Sequence, residues 1–177
     1  MHLNEETVDS KLVYKGKIFE VFSDTALLEN GKTTGRDVLR HPGGVCIVAL
    51  NEKNEVFFVR QFRYPHKKVL LEIPAGKLEW GEEPLECGKR ELREETGFTA
   101  KRFRPLGKLF PTPAYDTEII YMYLAEGLRR AEQDLDDNEF LDVLTIPLEK
   151  AVQMVLEDEI DDAKTQLALL KAAAILR

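Results

Sequence analysis

Residues 76–98, GKLEWGEEPLECGKRELREETGF, gather seven glutamates and four basic residues into one short stretch. Pro84 suits the first position of a helix, and Gly97 suits the left-handed position that ends one. At about 3.6 residues per turn, Leu85 and Leu92 lie on one line and form the buried stripe of that helix. The sequence therefore predicts an amphipathic and strongly acidic helix between Pro84 and Gly97.

Some of this acidity is accounted for by ion pairs along the helix. Arg90 stands four residues after Glu86 and four residues before Glu94. Opposite charges at this spacing stabilise a helix surface by about 0.2–0.5 kcal/mol per pair. These three residues are expected to form a solvated row of ion pairs.

Glu91 and Glu95 do not fit that explanation. They are also four residues apart, but they carry the same charge and lie at the edge of the apolar stripe. Such a pair is unfavourable unless a cation joins it. Lys77 or Lys89 is one candidate, and a divalent ion with oxygen ligands, such as Mg²⁺, is another.

The composition limits the class of protein. With 177 residues, 44% of them hydrophobic, the chain is long enough for one substantial core. A formal net charge of −7 leaves no basic surplus for a nucleic acid, and the longest apolar run, 45–50, is too short to cross a membrane. The polar N-terminus does not resemble a targeting peptide, and Cys46 and Cys87 give no disulfide framework. We expect a cytoplasmic protein without nucleic-acid or membrane partners.

The N-terminal part is predicted to be a separate β subdomain. Its strands are interrupted by Asn30 and Gly31, the dipeptide that most favours a two-residue hairpin turn. The same turn lies in ALLENGKT (26–33), which resembles a loosened phosphate-binding loop but is not followed by a helical pattern. We therefore divide the chain into a β subdomain, 1–42, and a main domain, 43–177.

The main domain mixes strands and helices in an α+β pattern. Residues 43–64 are predicted to form a second hairpin. Further strands are expected at 69–73, 102–110, 118–126 and 140–146. Pro147 is expected to open a helix that ends near Glu157, and Asp161 or Asp162 is expected to cap a last helix that ends near Leu176.

The acidic stretch as a whole resembles the signature of the Nudix hydrolases, G-x5-E-x7-R-E-U-x-E-E-x-G-U, in which U is apolar. Every fixed position is filled, in order, by Gly76, Glu82, Arg90, Glu91, Leu92, Glu94, Glu95, Gly97 and Phe98. The resemblance implies an α/β/α sandwich with a mixed sheet, and hydrolysis of a diphosphate linked to another group with Mg²⁺ or Mn²⁺. It also implies metal ligation by Glu91, Glu94 and Glu95, and a structural role for Gly76, Glu82, Arg90 and Gly97.

Segments outside the signature resemble the ADP-ribose pyrophosphatase branch of this family. EIPAGKLEWGEE (72–83) implies that the Ala75 carbonyl is a further metal ligand. DDNEF (136–140) resembles an acidic loop that supplies a catalytic glutamate, here Glu139. Glu94 is counted among the catalytic residues as well, and Glu118 is the next candidate for the base.

The same branch suggests substrate contacts and a partner. VRQFRYP (59–65) implies that Arg63 contacts substrate phosphate, and Arg36 is expected to assist it. FPTPAYDTE (110–118) carries Pro113 at the spacing typical of enzymes for ADP-sugars, although Ala114 and Tyr115 replace a glycine that is frequent in relatives. The N-terminal β subdomain commonly completes the pocket of a second subunit, which implies a homodimer.

The predicted reaction is the metal-dependent hydrolysis of a nucleoside diphosphate sugar, with ADP-ribose giving AMP and ribose 5-phosphate. GDP-mannose is the alternative substrate. A Nudix-fold module that senses a nucleotide without cleaving it is the alternative from another class, although such modules typically lose glutamates of the signature. A purely structural α+β protein with an ion-paired helix is the third alternative.

Overall fold

The structure is a computed structural model, which describes residues 2–135 and 140–176. The chain forms two compact units. The first comprises Met1–Gly43 and Phe110–Ile119, and the second comprises Gly44–Leu109 and Ile120–Arg177. The sequence analysis had placed 110–119 in the main domain.

The first unit is built on an antiparallel sheet of three strands in the order β1-β2-β3, which are Glu5–Lys15, Glu20–Leu28 and Thr33–Arg40. The predicted turn joins β2 to β3, and Gly31 adopts a φ of 77° there. The phosphate-loop pattern is therefore a hairpin. The 110–119 segment belongs to this unit because it forms backbone hydrogen bonds with Leu39. The Leu39 N–H donates to the Tyr115 carbonyl at 2.7 Å, and the Thr117 N–H donates to the Leu39 carbonyl at 2.9 Å.

Within its described residues, 44–109, 120–135 and 140–176, the second unit contains a mixed sheet. Its central order is β10-β5-β4-β9-β8, with β6 on β5 and β7 on β4. β4 and β9 run parallel, and the other pairs are antiparallel. The strands β4 to β10 span, in order, Gly44–Leu50, Glu55–Arg63, Lys68–Glu72, Ala75–Lys77, Phe98–Leu109, Ile120–Arg130 and Leu141–Pro147.

The two strands of the predicted second hairpin, β4 and β5, are paired with each other only next to the turn. Close to the turn, β4 and β5 are paired at Leu50 and Val56. Beyond that point β5 pairs with β6, and β4 pairs with β7. The two strands separate because the chain returns along both of them, which brings Ala75–Lys77 beside the fully buried β4.

The helices of the described chain are α1 (Pro84–Thr96), α2 (Leu148–Leu156) and α3 (Ala163–Leu176). α1 has the predicted bounds, and Gly97 ends it with a φ of 71°. Asp162 caps α3, since its Oδ2 accepts a hydrogen bond from the Thr165 N–H at 3.0 Å. The prediction for Pro147 was one residue early, because α2 begins after it.

Alternate residues of β4 supply two layers of core. Cys46 and Val48 pack with residues of α2 and α3, whereas Val45 and Ile47 pack with residues of α1. Helices therefore cover both faces of the sheet, and the predicted α/β/α sandwich is confirmed.

Candidate active site

The short strand β7 lies against the acidic face of α1. The Ala75 N–H donates to Oε2 of Glu95 at 3.0 Å. A Cβ atom added to Gly76 would lie 1.8 Å from Cδ of Glu91 and 2.0 Å from its Oε1. A side chain at position 76 would force the Glu91 carboxylate to move, so glycine allows this close approach of strand and carboxylate. The fold thus places Ala75 beside two of the predicted ligand glutamates.

The buried stripe of α1 differs from the prediction. Leu92 is fully buried, but Leu85 is only half-buried, and the stripe also includes Cys87 and Gly88. Glu95 lies within it and is 1% exposed, rather than at its edge. A buried carboxylate is costly without polar partners, which makes the bond from the Ala75 N–H a structural requirement of the site.

Arg90 is the cation that joins the other glutamates. Its Nη1 lies 2.7 Å from Oε1 of Glu91 and 2.9 Å from Oε2 of Glu94, and its Nε lies 3.3 Å from Oε1 of Glu82. Burial opposes the charge of Arg90, but the hydrogen bonds that Arg90 donates to Glu82 and Glu94, with the charge of Glu91, outweigh burial and raise the pKa of Arg90. The predicted pairing with Glu86 gives way to an ion pair of Glu86 with Lys89, at 2.7 Å.

Glu82 and Arg90 together close the loop before α1. The backbone N–H of Glu79 donates to Oε2 of Glu82 at 2.9 Å, and Arg90 binds the same carboxylate from the helix. Burial raises the pKa of Glu82, but these hydrogen bonds lower it by more, so the net shift of the pKa is downward. This geometry supports the structural role that the signature suggests for both residues.

The predicted ligand set consists of carboxylate oxygens and one peptide oxygen, the donors that Mg²⁺ and similar hard cations prefer. Ala75 contacts Glu95, Gly76 packs against Glu91, and Arg90 joins Glu91 to Glu94. Among the described residues, no group of three or more acidic, histidine or cysteine side chains is arranged around a common metal position.

Arg63, the predicted phosphate contact, ends β5 in a forked ion pair. Its Nε and Nη2 each lie 2.6 Å from an oxygen of Glu72, which is 1% exposed. The hydrogen bonds that Arg63 donates to Glu72 raise the pKa of Arg63, and the negative charge of Glu95 acts in the same direction. The Arg63 side chain remains 37% exposed and is therefore accessible to a ligand.

Sequence reasoning missed Glu72 and its second partner, Lys164. The Lys164 ammonium lies 2.5 Å from Oε2 of Glu72 and 2.9 Å from Oδ1 of Asp162. Burial raises the pKa of Glu72, but Arg63 and Lys164 outweigh it and hold this pKa below its usual range. The available signal was a charged residue at the end of the apolar strand KVLLE, where a buried charge needs a partner.

Three further predicted residues belong to the first unit. Arg36 forms a forked ion pair with Glu5, with N–O distances of 2.9 and 2.7 Å. Pro113 is exposed, and Oε1 of Glu118 lies 3.5 Å from Nδ1 of His41. Their roles in substrate binding and catalysis stay predictions.

Glu139, the predicted base, lies outside the described residues. The chain that precedes it is anchored to the end of α1. The Gln133 amide donates to the backbone carbonyl of Glu95 at 2.6 Å, and the Asp134 N–H donates to that of Glu94 at 3.2 Å. The end of the ligand helix and the approach to the acidic loop are thus tied together.

The model of the NUDIX domain family matches residues 40–169. This chain belongs to the NUDIX family. The ADP-ribose pyrophosphatase of Bacillus subtilis is 38% identical, over 94% of this chain and 91% of that protein. The methanol dehydrogenase activator of Bacillus methanolicus is 38% identical, over 93% and 90%. A GDP-mannose pyrophosphatase of Klebsiella pneumoniae is 34% identical, over 76% and 72%.

The fold of this NUDIX chain also matches a crystal structure of an ADP compounds hydrolase, with a TM-score of 0.86 at 23% identity. The match covers 99% of this chain and 96% of that one. The fold prediction and the resemblance to the ADP-ribose pyrophosphatase branch are confirmed. In the part of the chain that the structure describes, no helix is long and apolar enough to span a bilayer.

Proposed function

We propose that this chain hydrolyses the diphosphate of nucleoside diphosphate sugars, with ADP-ribose as the preferred substrate and AMP and ribose 5-phosphate as products. The observation that carries the proposal is the packing of the Ala75–Gly76 backbone onto Glu95 and Glu91. This contact brings two of the glutamates that the signature implies as ligands beside the Ala75–Gly76 backbone. The relative named ADP-ribose pyrophosphatase, which matches nearly the full chain, supports this choice of substrate.

Glu91, Glu94, Glu95 and the Ala75 carbonyl would hold Mg²⁺ or Mn²⁺. When bound, such an ion neutralises the diphosphate and lowers the pKa of a bound water. Arg90 keeps Glu91 and Glu94 within reach of each other, at 2.7 and 2.9 Å from one nitrogen. Gly76 leaves the space that the Glu91 carboxylate occupies.

The proton of the attacking water needs an acceptor, and we assign that role to Glu139, with Glu118 as the next candidate. Glu94 contributes to catalysis as well as to ligation. Arg63 supplies a charge-assisted contact to phosphate. Arg36 and Pro113 are the proposed substrate contacts of the first unit.

A homodimer and a cytoplasmic location complete the proposal. The outer strand β1 is exposed along its length and carries apolar side chains, among them Val8, Val13 and Tyr14, each more than half exposed. Exposed apolar groups of this kind favour association with another surface. Light scattering at micromolar concentration tests this part, and a monomer there would contradict it.

Two relatives suggest other functions. The GDP-mannose pyrophosphatase covers a smaller share of this chain at lower identity, which ranks GDP-mannose below ADP-ribose. The methanol dehydrogenase activator matches as well as the ADP-ribose pyrophosphatase does, so activation of a dehydrogenase is a second candidate. Nucleotide sensing without cleavage is disfavoured, because all the glutamates of the signature are present.

The test is product analysis with ADP-ribose, GDP-mannose and a dinucleoside polyphosphate, each with Mg²⁺, with Mn²⁺ and with EDTA. Metal-dependent release of AMP from ADP-ribose, faster than turnover of the other substrates, is the expected result. Faster cleavage of GDP-mannose would change the substrate and keep the chemistry. Binding without turnover would support the sensing alternative, and addition to a methanol dehydrogenase tests activation.

A further inference from the structure

A cluster of four charged residues lies behind the candidate phosphate contact. We name it the Glu72 cluster, and it consists of Arg63, Glu72, Asp162 and Lys164. Glu72 stands at its centre and accepts hydrogen bonds from Arg63 at 2.6 Å and from Lys164 at 2.5 Å. Asp162 binds the other side of Lys164 at 2.9 Å. The cluster joins the end of β5 and the end of β6 to the start of α3.

The arrangement contains one cation more than a forked Arg63–Glu72 pair needs. Two parallel hydrogen bonds already satisfy both oxygens of Glu72 in the usual carboxylate–guanidinium geometry. Lys164 is nevertheless drawn in from α3, and its side chain is only 13% exposed. Removing a charged group from water is costly unless an opposite charge lies beside it. For Lys164 these opposite charges are the carboxylates of Glu72 and Asp162.

The charges show what Lys164 adds to the phosphate contact. Arg63 and Glu72 alone cancel, and Asp162 would leave this region negative. With Lys164 the four residues sum to zero, and Arg63 is the more exposed of the two cations in the cluster. Lys164 also donates to Oε2 of Glu72, the oxygen that accepts from Nη2 of Arg63, and so holds this carboxylate in place for the forked pair.

The same contacts reach the strand that carries Ala75. Thr165, next to Lys164, donates to Oδ2 of Asp162 at 2.5 Å and accepts a hydrogen bond from the Ile73 N–H at 3.0 Å. Ile73 lies two residues before Ala75. The start of α3 therefore fixes the segment between the Glu72 cluster and the predicted metal ligand.

We propose that Lys164 is a positioning residue for diphosphate binding. It offsets the charge of Glu72 and fixes the forked pair, so that Arg63 keeps both its orientation and its attraction for phosphate. This inference rests on the proposed function, in which Arg63 contacts the diphosphate of the substrate.

The experiment is a double-mutant cycle on the full chain with ADP-ribose and Mg²⁺, using Lys164→Met, Arg63→Gln and the double variant. Loss of a hydrogen bond to a charged group typically weakens an interaction about tenfold or more. We expect Lys164→Met to raise KM about tenfold with a smaller change in kcat. In the Arg63→Gln background the same change should have little further effect, because coupled residues are not additive.

Lys68→Met is the matched control. Lys68 pairs with Asp161 at 2.8 Å and joins the same strand to the residues before α3, but both side chains are at least half exposed. An exposed pair contributes little, and we expect KM to change less than twofold. If Lys164→Met does not fold, Lys164→Gln replaces it, since its amide still offers a donor towards Glu72 without the charge.

Equal effects of Lys164→Met with and without Arg63, or lower thermal stability with unchanged KM, would overturn the inference and leave a structural role. Failure of the proposed function appears differently, as no AMP release by the wild-type chain. In that case the cycle is read from the Kd of ADP-ribose by calorimetry, with the same expected coupling. Absence of both turnover and binding would overturn both proposals.

Discussion

Gly76→Ala is the substitution for which the structure gives the sharpest expectation. The new Cβ would lie 1.8, 2.0 and 2.3 Å from Cδ, Oε1 and Cγ of Glu91. Real Cβ contacts of that length do not occur, so the Glu91 side chain must move away from β7. We expect overpacking to cost about 1–3 kcal/mol in the free energy of unfolding. This cost corresponds to a loss of roughly 2–4 °C in Tm for each kcal/mol.

The effect on activity should be larger than the effect on stability. Moving Glu91 takes one predicted metal ligand out of place, and loss of one preorganised charged or polar group typically costs about 10²–10³ in kcat. Turnover of ADP-ribose with Mg²⁺ measures this loss, and thermal unfolding followed by circular dichroism measures the stability. Gly35→Ala is the control for stability, because a Cβ at Gly35 meets no atom within 4 Å.

A second background separates the steric cause from any other. In Glu91→Ala the carboxylate that the Cβ would meet is absent, so adding Gly76→Ala should cost almost no further stability, and activity should stay low. An equal loss of Tm in both backgrounds would refute the steric argument. Wild-type turnover by Gly76→Ala would refute the assignment of Glu91 to the site.

Three other perturbations test neighbouring parts of the site. Glu95→Gln keeps the shape of a buried side chain but removes its charge. The variant should fold, and its turnover of ADP-ribose should fall at least about hundredfold. A near-normal kcat would contradict the assignment of Glu95 to the site. The pKa of Glu72 is lowered in the folded state, so its stabilising contribution is present above the usual carboxyl pKa and is lost as the pH falls through the folded value. Chemical denaturation between pH 7 and pH 2 should therefore show that the free energy of unfolding of Glu72→Gln falls less steeply with acid than that of the wild type. An unchanged slope would argue against this contribution. Gln133→Leu removes the side-chain amide that donates to the Glu95 carbonyl at 2.6 Å. We expect the free energy of unfolding, measured with urea, to fall by about 1–3 kcal/mol. A variant as stable as the wild type would show that this hydrogen bond is dispensable.

The residues at its two ends were enough to predict α1, whereas contacts between residues far apart in the sequence could not be predicted from local patterns. Pro84 and Gly97 fix the ends of that helix through backbone preferences that act within a few residues, and both ends were confirmed. The Glu72–Lys164 contact joins residues 92 positions apart. No periodicity in either segment records such a partner, because the contact depends on how α3 returns to the sheet.

The same distinction explains the other differences. Sequence spacing placed Glu95 at the edge of the apolar stripe, but β7 covers it and makes it part of the core. Residues 43–64 carried a correct hairpin signal at the turn, whereas the separation of β4 from β5 depends on where the later strands β6 and β7 pair. The signature names the residues of the candidate site, but it does not predict that Arg90 holds Glu91 and Glu94 together.

That arrangement of Arg90 has a consequence for how the protein matures. Proteins whose ligand side chains repel one another without an ion commonly fold only when the ion is supplied. Here a guanidinium from the same chain already balances Glu82, Glu91 and Glu94, so a newly synthesised molecule reaches its native state without waiting for a cation. With the metal dependence proposed above, removal of divalent ions would then lower turnover without unfolding the protein.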